Sequence, residues 1–307
     1  MIEQAPSQRS LAVAAMLGAV LIYGATFPFS RHATQHGLTP HDLTALRFLV
    51  AGLLLLPLFV RAGWRNCAGI GWGRGALIAA SSGVPMVFLM NTGLSLAPAA
   101  HGASIQPGTV TVIGAVGSMI LFGARPSPAI VVGIAVVLSG LACIGLAGTV
   151  TGSSTVVLGD LCFLAAGSLW GLYPLLLQRW AVPPLVATAI VAVLSLAYLP
   201  LYALWLEPRI LTADTAFVLA HGFNQGVLNV IAGLWLWGYA VRVLGAAVAQ
   251  RFPPLIPVIG TMLSIPILGE WPGALQSIGV AGIVLGLLLA AFGDRLIRHF
   301  RGPLTAP

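Results

Sequence analysis

Asn224, Gln225 and Asn229 stand inside one long apolar run, while Asn91, His101, Ser104 and Gln106 stand in or at the start of two others. Amides, hydroxyls and imidazoles at such places either hydrogen-bond a small polar solute or tie helices to one another, because an unsatisfied polar group in hydrocarbon is costly. A spacing of four puts Gln225 and Asn229 on one face of a helix. Arg251 opens a later run, where its guanidinium could grip a carboxylate through two parallel hydrogen bonds or reach back to lipid headgroups. Arg47 faces the same choice, with Asp42 or a backbone carbonyl as its expected partner. Tyr23 lies about twelve residues into its run, roughly 18 Å from the start, and Trp170 lies at a similar depth in another. Both are cavity-wall or packing aromatics.

Bond-breaking chemistry is poorly served by the same chain. There is no His-Glu-x-x-His and no Gly-x-Ser-x-Gly, His101 and His221 stand alone, and His32, His36 and His41 read as solvated turn residues. Cys67, Cys143 and Cys162 have the spacing of neither a disulfide framework nor a metal site. No filter repeat or charge ring indicates a channel. The reading is a binding and transport protein without cofactor or metal rather than an enzyme.

The elements that position these groups follow from composition. Hydrophobic residues make up 58% of the 307 and charged residues 7%, far below the roughly one quarter of soluble domains. A water-compatible surface is therefore out of reach, and the chain is read as an integral membrane protein. Ten spans are expected, at approximately 11–30, 43–62, 75–96, 102–122, 128–148, 158–179, 184–206, 216–240, 245–268 and 273–293. Turn and helix-start signals at Thr39-Pro40-His41-Asp42, Pro126-Ser127-Pro128, Thr151-Gly152-Ser153-Ser154 and Pro183-Pro184 support those ends. Pro28, Pro85, Pro107, Pro174 and Pro257 should kink or shape the helices. Gly279, Gly282 and Gly286 give the last span a small-residue face suited to packing within the chain.

The net charge of +7 reads as a topology signal and not as a nucleic-acid surface, because the basic residues are scattered between apolar runs. Arg9, Arg61, Arg65, Arg74, Arg125, Arg179, Arg242, Arg295, Arg298 and Arg301 fall on the side of both termini, which the positive-inside rule makes cytoplasmic. The expected location is the cell inner membrane, and the first run is read as a retained helix.

The chain also repeats itself. Tyr23-Gly24 is answered by Trp170-Gly171, and Pro107 with its run into Gly123-Ala124-Arg125-Pro126 by Pro253 with its run into Gly269-Glu270-Trp271-Pro272. Residues 1–150 and 151–307 are thus read as two halves of five spans. An odd number of spans makes the second copy enter upside down, so the expected architecture is an all-α bundle of two inverted repeats around a central cavity, with Tyr23 facing Trp170 across it.

Tyr23-Gly24-Ala25-Thr26-Phe27, Trp170-Gly171-Leu172-Tyr173, Leu46-Arg47-Phe48 and the ending Leu268-Gly269-Glu270 together resemble the EamA-type drug/metabolite transporters. The resemblance covers essentially the whole chain, with one departure: Ala124-Arg125 stands where such proteins carry an acidic residue after the glycine. It implies export of a small metabolite, a neutral or aromatic amino acid, by alternating access, with drug or toxic-metabolite efflux as the alternative. The substrate contacts it suggests are Tyr23, Asn91, His101, Gln106, Trp170, Tyr173, Asn224, Asn229 and Arg251. Gly18, Tyr23 and Thr26 occupy the first span where small multidrug relatives have an acidic group. Proton coupling through His101 therefore stands beside facilitated diffusion, and monomer or oligomer is left open.

Overall fold

Apolar runs of about 20 residues, wound at ~1.5 Å per residue, match the ~30 Å of a bilayer's hydrocarbon. The computed structural model describes residues 6–150, 154–249 and 251–300, with side chains for 8–147, 154–245, 248–249 and 251–293. Regular structure among the described residues is helical throughout. The membrane helices are α1 (Pro6–Gln35), α2 (Pro40–Arg61), α3 (Trp72–Leu96), α4 (Ala99–Phe122), α5 (Pro128–Val150), α6 (Ser154–Arg179), α7 (Pro184–Trp205), α8 (Thr215–Leu244), α9 (Leu255–Leu268) and α10 (Ala274–Phe300). All but α9 are long and apolar enough to cross a membrane. Of the expected features, Thr151, Gly152, Ser153 and Arg301 lie outside the described residues.

Local sequence accounts for the ends and the breaks. The side chain of Thr39 accepts from the Asp42 backbone N–H while the Asp42 carboxylate accepts from that of Thr39, a capping box that starts α2. Pro28, Pro107 and Pro174 sit inside continuous helices. The helix runs on through Pro107, and Thr111 donates its hydroxyl to the Pro107 carbonyl at 3.1 Å. α3 does break, at Gly83, just before Pro85.

The expected span 245–268 is not one helix. A single turn, Ala246–Ala249, is followed by an interruption and then by the 14 residues of α9, about 21 Å of helix. Pro107 in the first half is followed by Gly108, whereas its counterpart Pro253 is followed by Pro254. Two consecutive residues without an N–H cannot be bridged within a helix, so α9 starts afresh behind them.

Ten helices joined by short loops run alternately up and down, so the start of α1 marks one end of the bundle, the proximal end, and the finish of α1 the distal end. Exchanging each helix for its repeat mate, α1 for α6 through α5 for α10, carries the packing pattern onto itself. The pair α1–α9 becomes α6–α4, α1–α8 becomes α6–α3, α2–α8 becomes α7–α3, and α2–α7, α4–α9 and α5–α10 map to themselves. With five helices in each half, that exchange inverts one half relative to the other.

The repeated glycines sit at the mated crossings. A Cβ on Gly24 would lie 2.7 Å from Ile259 of α9, and one on Gly171 would lie 2.8 Å from Ile113 of α4, the repeat counterpart of Ile259. α5 and α10 meet through a further glycine seam, where a Cβ on Gly140 would lie 2.7 Å from the Gly279 carbonyl and one on Gly286 2.6 Å from that of Gly133. The small face of α10 is used within the chain.

The mating is incomplete: α2 packs on α3 and α4 on α10 with no comparable α7–α8 or α5–α9 contact among the described residues. α1 also packs along α3 and α4, whereas α6 makes no comparable contact with α8 or α9 among the described residues. The distal half of α4, from Ala99 to Thr109, is buried on every side, and its proximal half is exposed or half-exposed throughout.

Candidate functional site

Ten residues of α8, Phe223–Ala232, wind as a π-helix, a wide turn that is rare and recurs at functional sites. It carries Asn224, Gln225 and Asn229, and it turns the last two toward α1. Gln225 donates to the Ser30 hydroxyl at 2.7 Å, and Asn229 donates to the Thr26 hydroxyl, which itself donates to the Ile22 carbonyl at 2.9 Å. One turn further on, Tyr23 lies against Gly233, where a Cβ would come within 2.9 Å of its ring. Its ring centroid is 6.3 Å from that of Trp237.

Arg47 of α2 enters the same layer. Its Nε donates to Gln225 Oε1 at 2.8 Å and its Nη2 donates to the same oxygen. Asp42 is not its partner, contrary to expectation. That carboxylate is used by Thr39, by the Tyr202 hydroxyl and by the Arg209 backbone N–H. One turn before Arg47, Thr44 accepts from Asn91 of α3 at 3.4 Å. Tyr23 lies within electrostatic range of both Arg47 and Tyr173. Groups from α1, α2, α3, α6 and α8 thus converge between the halves.

Other expected contacts fall elsewhere. His101 and Asp160, both buried, join α4 of one half to α6 of the other through an Nδ1···Oδ1 contact of 2.7 Å, while His101 Nε2 and Asp160 Oδ2 have no partner. Gln106 reaches the Met86 sulfur at 3.5 Å. Trp170 packs on the core and makes no ring contact with Tyr23 among the described residues; the ring that Tyr23 meets is that of Trp237. Arg251 lies in the interruption before α9, with its guanidinium 5.4 Å from the Phe292 ring centroid.

His32 belongs to the last turn of α1 and is half-buried, contrary to expectation, whereas His36 lies in the turn just beyond the helix and is exposed, as expected. The two rings stack at 4.0 Å, and His221, which the sequence left alone, lies 6.1 Å from His32. His41 approaches the Tyr198 hydroxyl at 2.7 Å. No group of three or more His, Cys, Asp or Glu among the described residues is arranged to hold a metal ion.

The distal end is tied shut. Glu270, just beyond α9, accepts from Arg31 Nε and, at 2.9 Å, from the backbone N–H of Ala99 at the first turn of α4. Arg31 Nη1 also donates to the Leu94 carbonyl at 2.7 Å, which gathers the ends of α1, α3, α4 and α9. At the proximal end the repeat counterparts of Glu270 and Arg31 are Ala124 and Gln178, both exposed. Sequence reasoning missed Arg31, and it singled out Gln225 without pairing it to Arg47. It did register the inequality of Ala124 and Glu270.

A family model described as the EamA-like transporter family matches residues 10–146 and again residues 157–292. Eleven chains of solved structures match as well. One of them, a crystal structure of a protein, is 23% identical over 94% of this chain and 99% of that one, with a TM-score of 0.58, a likeness of fold. No curated protein matches.

Proposed function

The chain belongs to the EamA-like transporter family, and from that premise we propose that it exports neutral or aromatic amino acids, or similar small metabolites, by alternating access. A membrane carrier of small molecules is the family's activity. The finer reading rests on one observation: a near-symmetric pairing of inverted halves is broken at the two ends, where Glu270 ties α9 to α1 and α4 while the Ala124 side chain makes no such tie among the described residues. Inverted repeats alternate by exchanging the conformations of their halves. The contacts that α1 makes with α3 and α4 would pass to α6 with α8 and α9 as the distal end opens. Read by the positive-inside rule, the distal end is the outer face and the termini are cytoplasmic, so in this reading the conformer is closed to the outside and faces the cell interior. In this reading the halves are residues 1–150 and 151–307, and the membrane is the inner one.

The substrate site is the layer of Tyr23, Tyr173, Asn91, Asn224 and Asn229, with Trp170, Gln106 and Arg251 along the path. The His101–Asp160 pair carries the coupling proton, because it joins the halves in the buried outer part of α4 and keeps one unpartnered nitrogen and one unpartnered oxygen. Counterflow of radiolabelled amino acids in proteoliposomes, with and without a pH gradient, tests both parts. Saturable exchange accelerated by the gradient is expected. Conversion of substrate without flux would overturn the carrier, and exchange indifferent to the gradient would overturn the coupling.

A further inference from the structure

The side chain of Arg47 is 92% buried by complement of its 8% exposure and begins about 10 Å along α2 from the distal end. A guanidinium keeps its charge at this depth, where a lone charge is costly, so the question is what balances it. Of the chain's seven acidic residues, the five with described side chains are all occupied elsewhere or exposed. Asp42 serves Thr39, Tyr202 and Arg209, Asp160 serves His101, Asp214 caps α8, Glu270 serves Arg31, and Glu207 is exposed. Gln225 is neutral. It satisfies two N–H groups of Arg47 and cancels none of its charge.

The geometry of that contact matters. Nε and Nη2 both go to one oxygen of Gln225, which occupies the side edge of the fork. The end edge, between Nη1 and the second Nη2 hydrogen, has no partner among the described residues. Two parallel N–H groups with this spacing match the two oxygens of a carboxylate. The Gln225 amide is itself oriented by Ser30, and Gly226 lets α8 approach α2 so closely that a Cβ there would lie 2.4 Å from Val50. The fork is thus held in place before any ligand arrives. Nearby, Thr44 positions Asn91, whose buried Oδ1 has no partner, and Tyr23, whose ring lies against Gly233 and 6.3 Å from that of Trp237, is within electrostatic range of Arg47.

We propose that Arg47 is the anion-recognition residue of the substrate site, its end edge taking the α-carboxylate of an amino acid, with the Asn91 carbonyl oxygen taking the ammonium and Tyr23 flanking the side chain. The assignment rests on the carrier reading above and narrows it to substrates that carry a carboxylate. It moves the expected carboxylate contact from Arg251 to Arg47.

The test compares acids with their amides. Purified full-length protein is melted in the presence of L-phenylalanine and the other proteinogenic amino acids, of the matching amides, and of sodium chloride at equal ionic strength. Counterflow of the same panel follows in proteoliposomes. At least one acid raises the melting temperature and exchanges, while its amide and chloride do neither. Arg47→Gln lowers exchange of that acid at least about thirtyfold, the lower end for removing one partner of a buried charge pair, and Arg47→Lys, which keeps the charge but loses the fork, falls between. Because Arg47→Gln also disturbs Gln225, the wild-type acid-against-amide comparison stands as a test that needs no variant. Amides that protect and exchange as well as acids, chloride that protects equally, or an Arg47→Gln protein that exchanges acids unchanged would each overturn the assignment and leave the carrier standing. Proteoliposomes that exchange no member of the panel would remove both.

Discussion

Replacing Glu270 with Ala should open the distal end, and the structure allows the size of the effect to be worked out. The carboxylate holds the Arg31 guanidinium, with side-chain exposures of 15% for Arg31 and 19% for Glu270. Breaking a fully buried pair costs about 3–5 kcal/mol and an exposed pair about 0–1 kcal/mol, which puts this mostly buried one near ~2 kcal/mol. The same carboxylate caps the first turn of α4 through Ala99, and losing such a cap costs about 1 kcal/mol. Both contacts join α9 to α1 and α4, so both are lost when those helices separate. About 3 kcal/mol then moves the closed-to-open ratio by roughly two orders of magnitude. Ser104, fully buried in the distal half of α4 with an unpartnered hydroxyl, takes a cysteine with little change of shape. In a background with Cys67, Cys143 and Cys162 replaced, an impermeant maleimide added from the outside should label Ser104→Cys about 100-fold faster once Glu270 is Ala, since labelling follows the open population. Arg31→Ala should give much of the same effect, and the two changes together less than their sum. An unchanged labelling rate in protein that still melts cooperatively, or strict additivity, would refute the clasp.

Gly24→Ala and Gly171→Ala should each lower the melting stability by about 1–3 kcal/mol, because each new methyl overlaps an isoleucine of the mated helix. Gly114→Ala, with nothing within 4 Å, should be neutral or gain up to ~1 kcal/mol from helix propensity; thermal unfolding in detergent compares the three. His101→Gln and Asp160→Asn should each abolish acceleration by a pH gradient while leaving counterflow within about threefold, a difference of ~0.7 kcal/mol; equal loss of both activities would make the pair structural. Burial pushes the Cys67 thiol up from its ordinary value. Its thiolate fraction at neutral pH is therefore below that of a free cysteine, so maleimide labelling of Cys67 should be slow in the folded protein, rise only with alkaline pH, and become fast on unfolding. Mass spectrometry of the labelled peptide reads it out.

Much of this was legible before any coordinates. Hydropathy located all ten helices, most ends within about five residues, although α9 begins only at Leu255 and α10 runs on to Phe300, and the paired aromatic-glycine motifs marked the repeat. The meaning of those motifs was not legible. The aromatic drew attention as a cavity wall, yet the neighbouring glycine is the residue both halves use alike, at the contacts with Ile259 and Ile113. The break before α9 could have been anticipated, since Pro253-Pro254 removes two successive donors where Pro107-Gly108 removes one. A lone arginine seven residues into an apolar helix was likewise a signal in itself. Its partner was not, because Asp42 lies nearby in sequence while Gln225 lies 178 residues away.

What the sequence determined by itself is the part that depends on solvent and on local geometry. A chain this apolar must lie in a membrane, its runs must be helical to satisfy their own backbones, and five spans in each half invert the second copy. What only the tertiary structure decided is which polar groups use one another up. In hydrocarbon a polar side chain takes whatever partner the packing brings, and packing joins helices far apart in the chain. Gln225 is thereby committed to Ser30 and Arg47, Glu270 to Arg31 and Ala99, and His101 to Asp160. The free edge of Arg47 is what remains after that accounting.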